Sequence, residues 1–212
     1  MNVGTTSTSK QPTTKRGQRT RQALLEAAES VFGEMTFEQA SIAEITRRAK
    51  VALGTFYVYF PHKQAIFVEL VDDLSARLKK TLAAAVKGET TRLGRERAGF
   101  RAFFEFAAKH RNLYRVVRQA EFVDEPAYHR YYRTLGNAYA KGLSAAMAKG
   151  EIGRFEPEIL AFALMGIADM IGMRFVLWES PTAIEPIVDE VLELVQHGLL
   201  SKARMTSPKE TK

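Results

Sequence analysis

Apolar residues recur three and four positions apart through most of the chain, the spacing that keeps them on one face of an α-helix. The first such run holds Leu24, Ala27, Val31 and Phe32, and Gly33 follows as a natural stop. No alternation typical of strands and no internal repeat interrupts this pattern. The 212 residues are therefore predicted to form an all-α protein, which builds its core by packing helix against helix.

The breaks between apolar runs place the individual helices. Three short helices are predicted first, near 20–32, from Ser41 over about nine residues, and from Leu53 to about Pro61. A long fourth helix follows with a stripe at Ile66, Phe67, Leu70, Val71, Leu74, Leu78 and Leu82. Further helices are predicted near 92–109, 112–120, 125–149, 157–178 and 183–202. Ser41 and Glu44 have the spacing of a capping box, which fixes the start of the second helix.

The composition excludes several classes of protein. The chain has no cysteine, so disulfides, thiolate catalysis and cysteine metal sites are excluded, and a cytoplasmic location is expected. The first twenty residues lack the apolar core of a signal peptide. The apolar stretch from Ile159 to Ala168 is too short to span a bilayer before Asp169 interrupts it. We expect no membrane association.

The histidines and carboxylates do not form a recognisable catalytic or metal-binding pattern. His62, His110, His129 and His197 are scattered, and no Gly-rich phosphate loop occurs. The pair Glu125 and His129 has the spacing of an ordinary surface contact. We therefore expect no enzymatic activity, no metal and no cofactor.

Positive charge is concentrated in the first third of the chain. The whole protein carries a net charge of +7. Up to Lys63 there are nine Lys and Arg residues against five Glu, a net of +4. This excess favours an anionic partner such as nucleic acid.

The third helix crowds aromatic residues between basic ones. On a helical wheel two aromatics, Phe56 and Phe60, share one side and enter the core. The remaining positions divide between an edge with Leu53 and Tyr57 and an outer face with Gly54, Thr55, Val58 and Tyr59. A glycine, a hydroxyl and a phenol suit close approach to a large polar partner. With Arg47, Arg48 and Lys63 alongside, the pattern favours a helix-turn-helix that binds a phosphate backbone and base edges.

Residues from about 20 to 70 resemble the DNA-binding domain of TetR-family transcriptional regulators. The run IAEITRRAKVALGTFYVYFPHK carries the resemblance, in particular G-T-F-Y-x-Y-F followed by lysine. The resemblance implies these DNA-binding residues: Ser41 as a cap beside a phosphate, Gly54, Thr55 and Tyr59 in the major groove, and Tyr57 and Lys63 on the backbone. Arg47 joins them because it lies alongside the third helix. Lys50 stands where the family usually has glycine, so it is expected to adopt a left-handed conformation. His62 replaces the usual small polar residue before the lysine.

The predicted organisation has four parts. Residues 1–18 form a flexible basic arm, 19–65 a three-helix DNA-binding domain, 66–202 a larger helical domain for ligand binding and dimerisation, and 203–212 a disordered tail. Two interpretations of the arm stand: its basic residues reach into a minor groove, or they only solubilise the chain.

The helix near 157–178 is apolar almost all round, in the run ILAFALMGIADMIGMRFVLW. One interpretation is that one side packs on its own domain and the other, with the last helix, on a second subunit. The alternative is a purely internal core stripe. A homodimer would place two recognition helices about one DNA turn apart, over a near-palindromic operator.

The larger domain has candidate ligand-binding residues: Phe103, Phe106, Arg115, Tyr131, Met165 and Asp169. The aromatics line a cavity or are ordinary core, and Asp169 contacts an effector or ties helices together. Arg111, Arg115 and Arg118 form either a solvated stripe or a site for phosphates or a carboxylate. The runs EFVDEPAYHRYYRTL and MGIADMIGMRFVLW are similar to TetR-family regulatory domains that control fatty-acid metabolism and respond to acyl-CoA.

These features predict a one-component, ligand-responsive repressor, with double-stranded operator DNA and a small apolar or acyl-CoA-like effector as its partners. The rival interpretation is a helical protein-binding adaptor that does not bind DNA. An adaptor would explain the apolar helices, but it would not explain the divided face of the third helix.

Overall fold

The computed structural model describes residues 12–179 and 183–198, and within these ranges it has nine α-helices and no strand. The helices are α1 (Lys15–Glu34), α2 (Ile42–Arg48), α3 (Leu53–Tyr59), α4 (Lys63–Ala85), α5 (Arg92–Lys109), α6 (Arg111–Val123), α7 (Glu125–Ala148), α8 (Pro157–Ile171) and α9 (Glu185–His197). A π-helical segment, Gly172–Trp178, continues α8. The all-α prediction is confirmed. The predicted tail, and the predicted arm up to residue 11, lie outside the described residues.

Side-chain caps set where several helices begin. Thr14 accepts a hydrogen bond from the Gly17 N–H at 3.1 Å, so α1 begins at Lys15 rather than near residue 20. The last residues of the predicted arm are therefore helical. Ser41 accepts from the Glu44 N–H at 3.1 Å, as the capping box predicts. His62 caps α4 through Nδ1, which accepts from the Ala65 N–H at 3.1 Å.

The first hydrophobic core joins α1 to α4 with parts of the larger domain. Phe32, Phe56, Phe60 and Phe67 are fully buried in it, and Phe32 meets Phe67 edge to face with ring centroids 5.1 Å apart. The same cluster includes Val116, Val117 and Ala120 of α6 and Tyr131 of α7. The predicted boundary between 65 and 66 falls within α4, which is one continuous helix.

Helix α6 binds the C-terminal end of α1. The Gln119 side-chain amide donates to the Phe32 carbonyl at 2.8 Å and accepts from the Phe37 N–H at 2.7 Å. Arg115 donates to the Gly33 carbonyl at 2.9 Å. The last carbonyls of a helix have no partner within the helix, so α6 supplies the partners that the end of α1 lacks.

The second core joins α5 to α9. Its buried residues are Phe100, Phe104, Ala107, Tyr114, Leu143, Ala161, Leu164, Ala168, Val176, Val188, Val191 and Leu192. Arg111 donates to the Val176 and Leu177 carbonyls at 3.2 Å, which ties the π-helical segment to the start of α6. The helix predicted near 157–178 thus has two parts, because its hydrogen-bonding pattern changes from α to π at Gly172.

The outer side of α8 and its extension is apolar and open. By length and composition Pro157–Trp178 could cross a membrane, so the expectation drawn from residues 159–168 underestimated the apolar run. A single helix of this kind is weak evidence for a membrane span, because core helices of soluble proteins have the same composition. Only 28% of its most apolar 18-residue window is buried in the structure. The exposed apolar side chains here are Ile159, Phe162, Met170, Phe175 and Trp178, with Leu194 on α9.

We predict that Gly33→Ala destabilises the protein by about 1–3 kcal/mol, because the added methyl group would overlap Asn112 of α6. Urea unfolding measures the effect. Gly99→Ala is the matched control, since its methyl group would meet only Val86, at 3.9 Å, and alanine favours a helix by up to about 1 kcal/mol over glycine. Equal stability of the two variants would contradict the close α1–α6 approach.

Candidate nucleic-acid interface and ligand cavity

The turn between α2 and α3 contains the predicted left-handed residue. Lys50 has φ of 56° and is the one non-glycine residue with positive φ among those described, which confirms the prediction. Such a conformation costs an L-residue about 1 kcal/mol. The turn brings α3 across α2 in a helix-turn-helix arrangement.

The two faces of α3 separate the core from a surface. Phe56 and Phe60 are fully buried, as predicted. The exposed face carries Leu53, Gly54, Tyr57 and Val58, and the three larger side chains are each more than half exposed. An added Cβ at Gly54 would meet nothing within 4 Å.

Four wheel positions on α3 differ from the prediction. Leu53 and Tyr57, expected at the edge of the buried side, are exposed, whereas Thr55 and Tyr59, expected outside, are half-buried. The Tyr59 hydroxyl lies against the start of α1, 3.4 Å from where a Cβ of Gly17 would be. The wheel could not include this contact, because it treats one helix alone.

Cationic side chains flank this face. Arg47 is well exposed and pairs with Glu44 through two hydrogen bonds of 2.8 and 2.7 Å. Hydrogen bonds from Arg47 and Arg48 hold the pKa of Glu44 at about 2, so this carboxylate stays ionised. Lys15, Arg16 and Arg19 are exposed in the first turns of α1. The sequence prediction does not include Arg19 in the interface, although Thr14 is a visible cap for the helix that carries it.

Lys63, predicted to hold the DNA backbone, makes its contacts within the protein. Its ammonium group donates to the Phe37 carbonyl at 2.5 Å and the Ala40 carbonyl at 2.8 Å, and lies 4.3 Å from the centre of the Phe37 ring. It therefore fixes the connection between α1 and α2 rather than standing free for a DNA phosphate. Ser41 remains exposed beside it as the cap of α2.

A cavity of about 350 Å³ lies between α4, α5, α6, α7 and α8. Its wall is mainly apolar, with side chains including Leu78, Leu82, Val86, Phe100, Val117, Leu135, Leu164 and Ala168. Four of the six predicted ligand-binding residues line it: Phe103, Tyr131, Met165 and Asp169. A partly enclosed apolar cavity of this size is typical of small-molecule sites.

The two other candidates lie elsewhere, which corrects their assignment. Phe106 belongs to the first core and packs against His110, with ring centroids 4.4 Å apart. Arg115 points to the end of α1, where it binds the Gly33 carbonyl. Of the predicted arginine stripe only Arg118 lines the cavity. Arginines spaced three or four residues apart on α6 contact different parts of the protein, because other helices pack against α6 on several sides.

One end of the cavity is built around Asp169. Burial raises the pKa of this carboxyl group, and the Tyr114 hydroxyl and the Arg118 charge partly offset the rise. Tyr131 and Tyr132 of α7 face the same carboxyl, and burial followed by its charge raises the pKa of each phenol. Asp169 thus lies among three tyrosines rather than in an ion pair.

The other end holds a buried polar group that sequence reasoning missed. Arg92 pairs with Glu96 one turn along α5, and the Tyr139 hydroxyl of α7 donates to the same carboxylate. Burial raises the pKa of Tyr139 well above its usual value, and the Glu96 charge adds to this. The i, i+4 spacing of Arg92 and Glu96 was a visible signal, but nothing in the sequence pointed to Tyr139, 43 residues away.

Comparison with known proteins gives consistent matches. Residues 24–70 match the bacterial regulatory proteins of the tetR family. The chain is 26% identical over 194 residues to the uncharacterized HTH-type transcriptional regulator YdgC of Bacillus subtilis, covering 88% of this chain and 96% of that protein.

Two solved structures share the fold. The fatty acid degradation regulator FadR from Bacillus halodurans superimposes with a TM-score of 0.77 at 18% identity, over 89% of this chain and 98% of that one. FadR from Bacillus subtilis, in complex with stearoyl-CoA, gives 0.76 at 21% identity, over 84% and 99%. At these identities the likeness concerns the fold alone.

We predict that Lys63→Met lowers the free energy of unfolding by about 1–3 kcal/mol, because charge-assisted hydrogen bonds to two carbonyls are lost. Urea unfolding tests this, with the exposed Lys80→Met on the same helix as control. A variant as stable as the control, whose DNA binding has a shallower salt dependence, would instead make Lys63 a phosphate ligand.

Proposed function

Because the chain belongs to the tetR family of bacterial regulatory proteins, we propose that this transcriptional regulator is a cytoplasmic homodimeric repressor of a palindromic operator. A small apolar or acyl-CoA-like effector in the cavity releases it from DNA. The observation that carries the proposal is the exposed face of α3, bordered by cations on α1 and α2.

The α3 face suits a DNA major groove. Gly54 leaves room for close approach of a base pair, and Leu53 and Val58 offer apolar contacts of the kind that recognise thymine methyl groups. Tyr57 extends from the same face, and the half-buried Thr55 and Tyr59 border it.

Phosphate contacts come from the residues around that face. Arg47 and Ser41 on the α2 side, and Lys15, Arg16 and Arg19 on the α1 side, are exposed. Contacts of this kind position a protein on the duplex without reading its sequence. Lys63 supports them indirectly by holding the α1–α2 connection.

The open apolar side of α8 supports dimerisation. Exposed large apolar side chains on α8 and α9 are costly on a monomer when they lie together. The exposed Ala163 and Gly166 allow a second helix to approach closely. A two-fold axis here would put two α3 helices over successive major grooves, about 34–36 Å apart.

The position of α6 supports coupling between cavity and DNA. Tyr114, Val117 and Arg118 line the cavity, and Arg115 and Gln119 on the same helix hold the end of α1. An effector that shifts α6 therefore shifts α1, and the spacing of the two α3 helices changes with it. The stearoyl-CoA complex of the Bacillus subtilis FadR structure supports an acyl-CoA as effector.

We predict that Gly54→Ala weakens operator binding at least about tenfold without loss of stability, because its methyl group projects only toward DNA. The operator is first recovered from a pool of genomic fragments, and affinity is then measured by fluorescence anisotropy at one salt concentration. Gly99→Ala serves as control. Folded wild-type dimer that enriches no sequence would favour the adaptor instead.

We predict that dodecanoyl-CoA releases the wild-type protein from its operator and that Ala138→Trp prevents release while DNA binding persists. Ala138 is an exposed residue at the rim of the cavity, so the large ring blocks entry with little effect on the core. Ala145→Trp, exposed on the same helix outside the cavity lining, is the control. Release of the Ala138 variant at wild-type concentrations would place the effector elsewhere.

A further inference from the structure

Helix α3 carries none of the side chains that recognise a base through two hydrogen bonds. Its sequence, LGTFYVY, contains no Arg, Lys, Asn, Gln, Asp or Glu. Specific contacts to guanine, adenine and cytosine usually come from those side chains, because a guanidinium, an amide or a carboxylate matches the donors and acceptors of one base. The exposed face of α3 therefore lacks the usual means of recognising these three bases.

The polar groups of α3 are hydroxyls, which distinguish the bases weakly. A hydroxyl can donate or accept a hydrogen bond, so it fits the edges of several bases. Thr55 and Tyr59 are half-buried at the border of the exposed face, and the Tyr59 hydroxyl lies against the start of α1. On the exposed face itself, the Tyr57 hydroxyl is the one polar side-chain group.

The rest of the exposed face is apolar. Leu53 is 52% exposed and Val58 is 56% exposed, and beside them Gly54 leaves open space, since an added Cβ would meet nothing within 4 Å. Leu53 and Val58 are about 7.5 Å apart along the helix axis, and successive base pairs of DNA are about 3.4 Å apart. The apolar face thus spans about three successive base pairs.

Cations border this face but do not belong to it. On α2, Arg47 and Arg48 both donate to the Glu44 carboxylate, and Lys50 lies in the turn before α3. Further exposed cations lie at the start of α1. Such charges bind phosphates and fix how a helix enters a groove, without reading the sequence. The sequence preference therefore depends on the apolar face between them.

Thymine is the base that an apolar face can recognise. Its C5-methyl group is the apolar group that the major groove presents. Contact between this methyl group and Leu53 or Val58 removes apolar surface of both partners from water, which is favourable. Cytosine has no methyl group at this position, so the same side chains gain less from it.

We propose that α3 selects operator DNA through thymine methyl groups that contact Leu53 and Val58, an inference that rests on the DNA-binding function proposed above. Each half-site then carries T·A pairs at two or more of about three successive base pairs that face α3. Tyr57 and the surrounding cations bind the backbone and position the helix. Leu53 and Val58 are the specificity-determining residues.

The first test exchanges single groups on the DNA. The operator recovered from genomic fragments is titrated with wild-type protein by fluorescence anisotropy at one salt concentration. At each thymine of one half-site, T·A is replaced by U·A, which lacks only the methyl group, or by C·G. A third replacement, 5-methylcytosine·G, keeps the methyl group and changes the hydrogen-bonding edge. The same exchanges at a thymine outside both half-sites are the control.

We expect U·A to weaken binding about fourfold at two or more thymines, the effect of burying one methyl group. C·G should bind about as weakly as U·A. The 5-methylcytosine·G pair should restore most of the lost affinity, because the protein contacts the methyl group and not the polar edge beside it. Exchanges at the control position should leave the affinity unchanged.

The second test shortens the side chains that contact the methyl groups. Leu53→Ala and Val58→Ala change exposed residues, and alanine favours a helix, so both variants keep the fold. In each variant the U·A effect should fall below about twofold at one or more of the sensitive positions, as a double-mutant cycle measures. Leu93→Ala, which changes a 41% exposed leucine on α5, is the matched control and should keep the full effect.

The outcomes overturn different claims. If the protein binds its operator and U·A binds as tightly as T·A at every position, Leu53 and Val58 do not select thymine, and the proposed function stands. The same conclusion follows if 5-methylcytosine fails to restore affinity, or if both variants keep the full U·A effect, because the methyl group then acts through DNA shape. If folded dimer enriches no DNA sequence, the proposed function itself is wrong, and the thymine contacts fall with it.

Discussion

The hydrogen bonds between α6 and the end of α1 are the contacts on which the rest of the structure depends. A helix that ends in the interior leaves carbonyl groups without partners, and here the side chains of Gln119 and Arg115 supply them from another part of the chain. The close approach requires Gly33, beside Asn112. Through this junction, one helix belongs both to the core of the DNA-binding end and to the wall of the cavity.

The cavity has polar groups at both ends, and the two ends differ in how these groups are bonded. At one end Arg92 and Tyr139 both donate to the Glu96 carboxylate, which holds α5 and α7 together. At the other end the Asp169 carboxyl lies beside Tyr114, Tyr131 and Tyr132 and has no ion-pair partner among the described residues.

Much of the DNA-binding end was predictable because its signals are local. The Ser41 cap, the left-handed Lys50 and the buried pair Phe56 and Phe60 each depend on residues within one or two turns of the chain. The wheel assigned Tyr59 to the outside, because it did not include α1, which covers its hydroxyl.

The all-α class, the order of the helices and the helix-turn-helix follow from local sequence patterns, because spacing and capping act between near neighbours. Tertiary packing sets which side chains meet across helices. It turned Lys63 and Arg115 toward carbonyls of other segments, brought Tyr139 to Glu96, and left Asp169 in the cavity. Such pairings depend on how helices pack in three dimensions, and residue spacing along one helix does not contain that information.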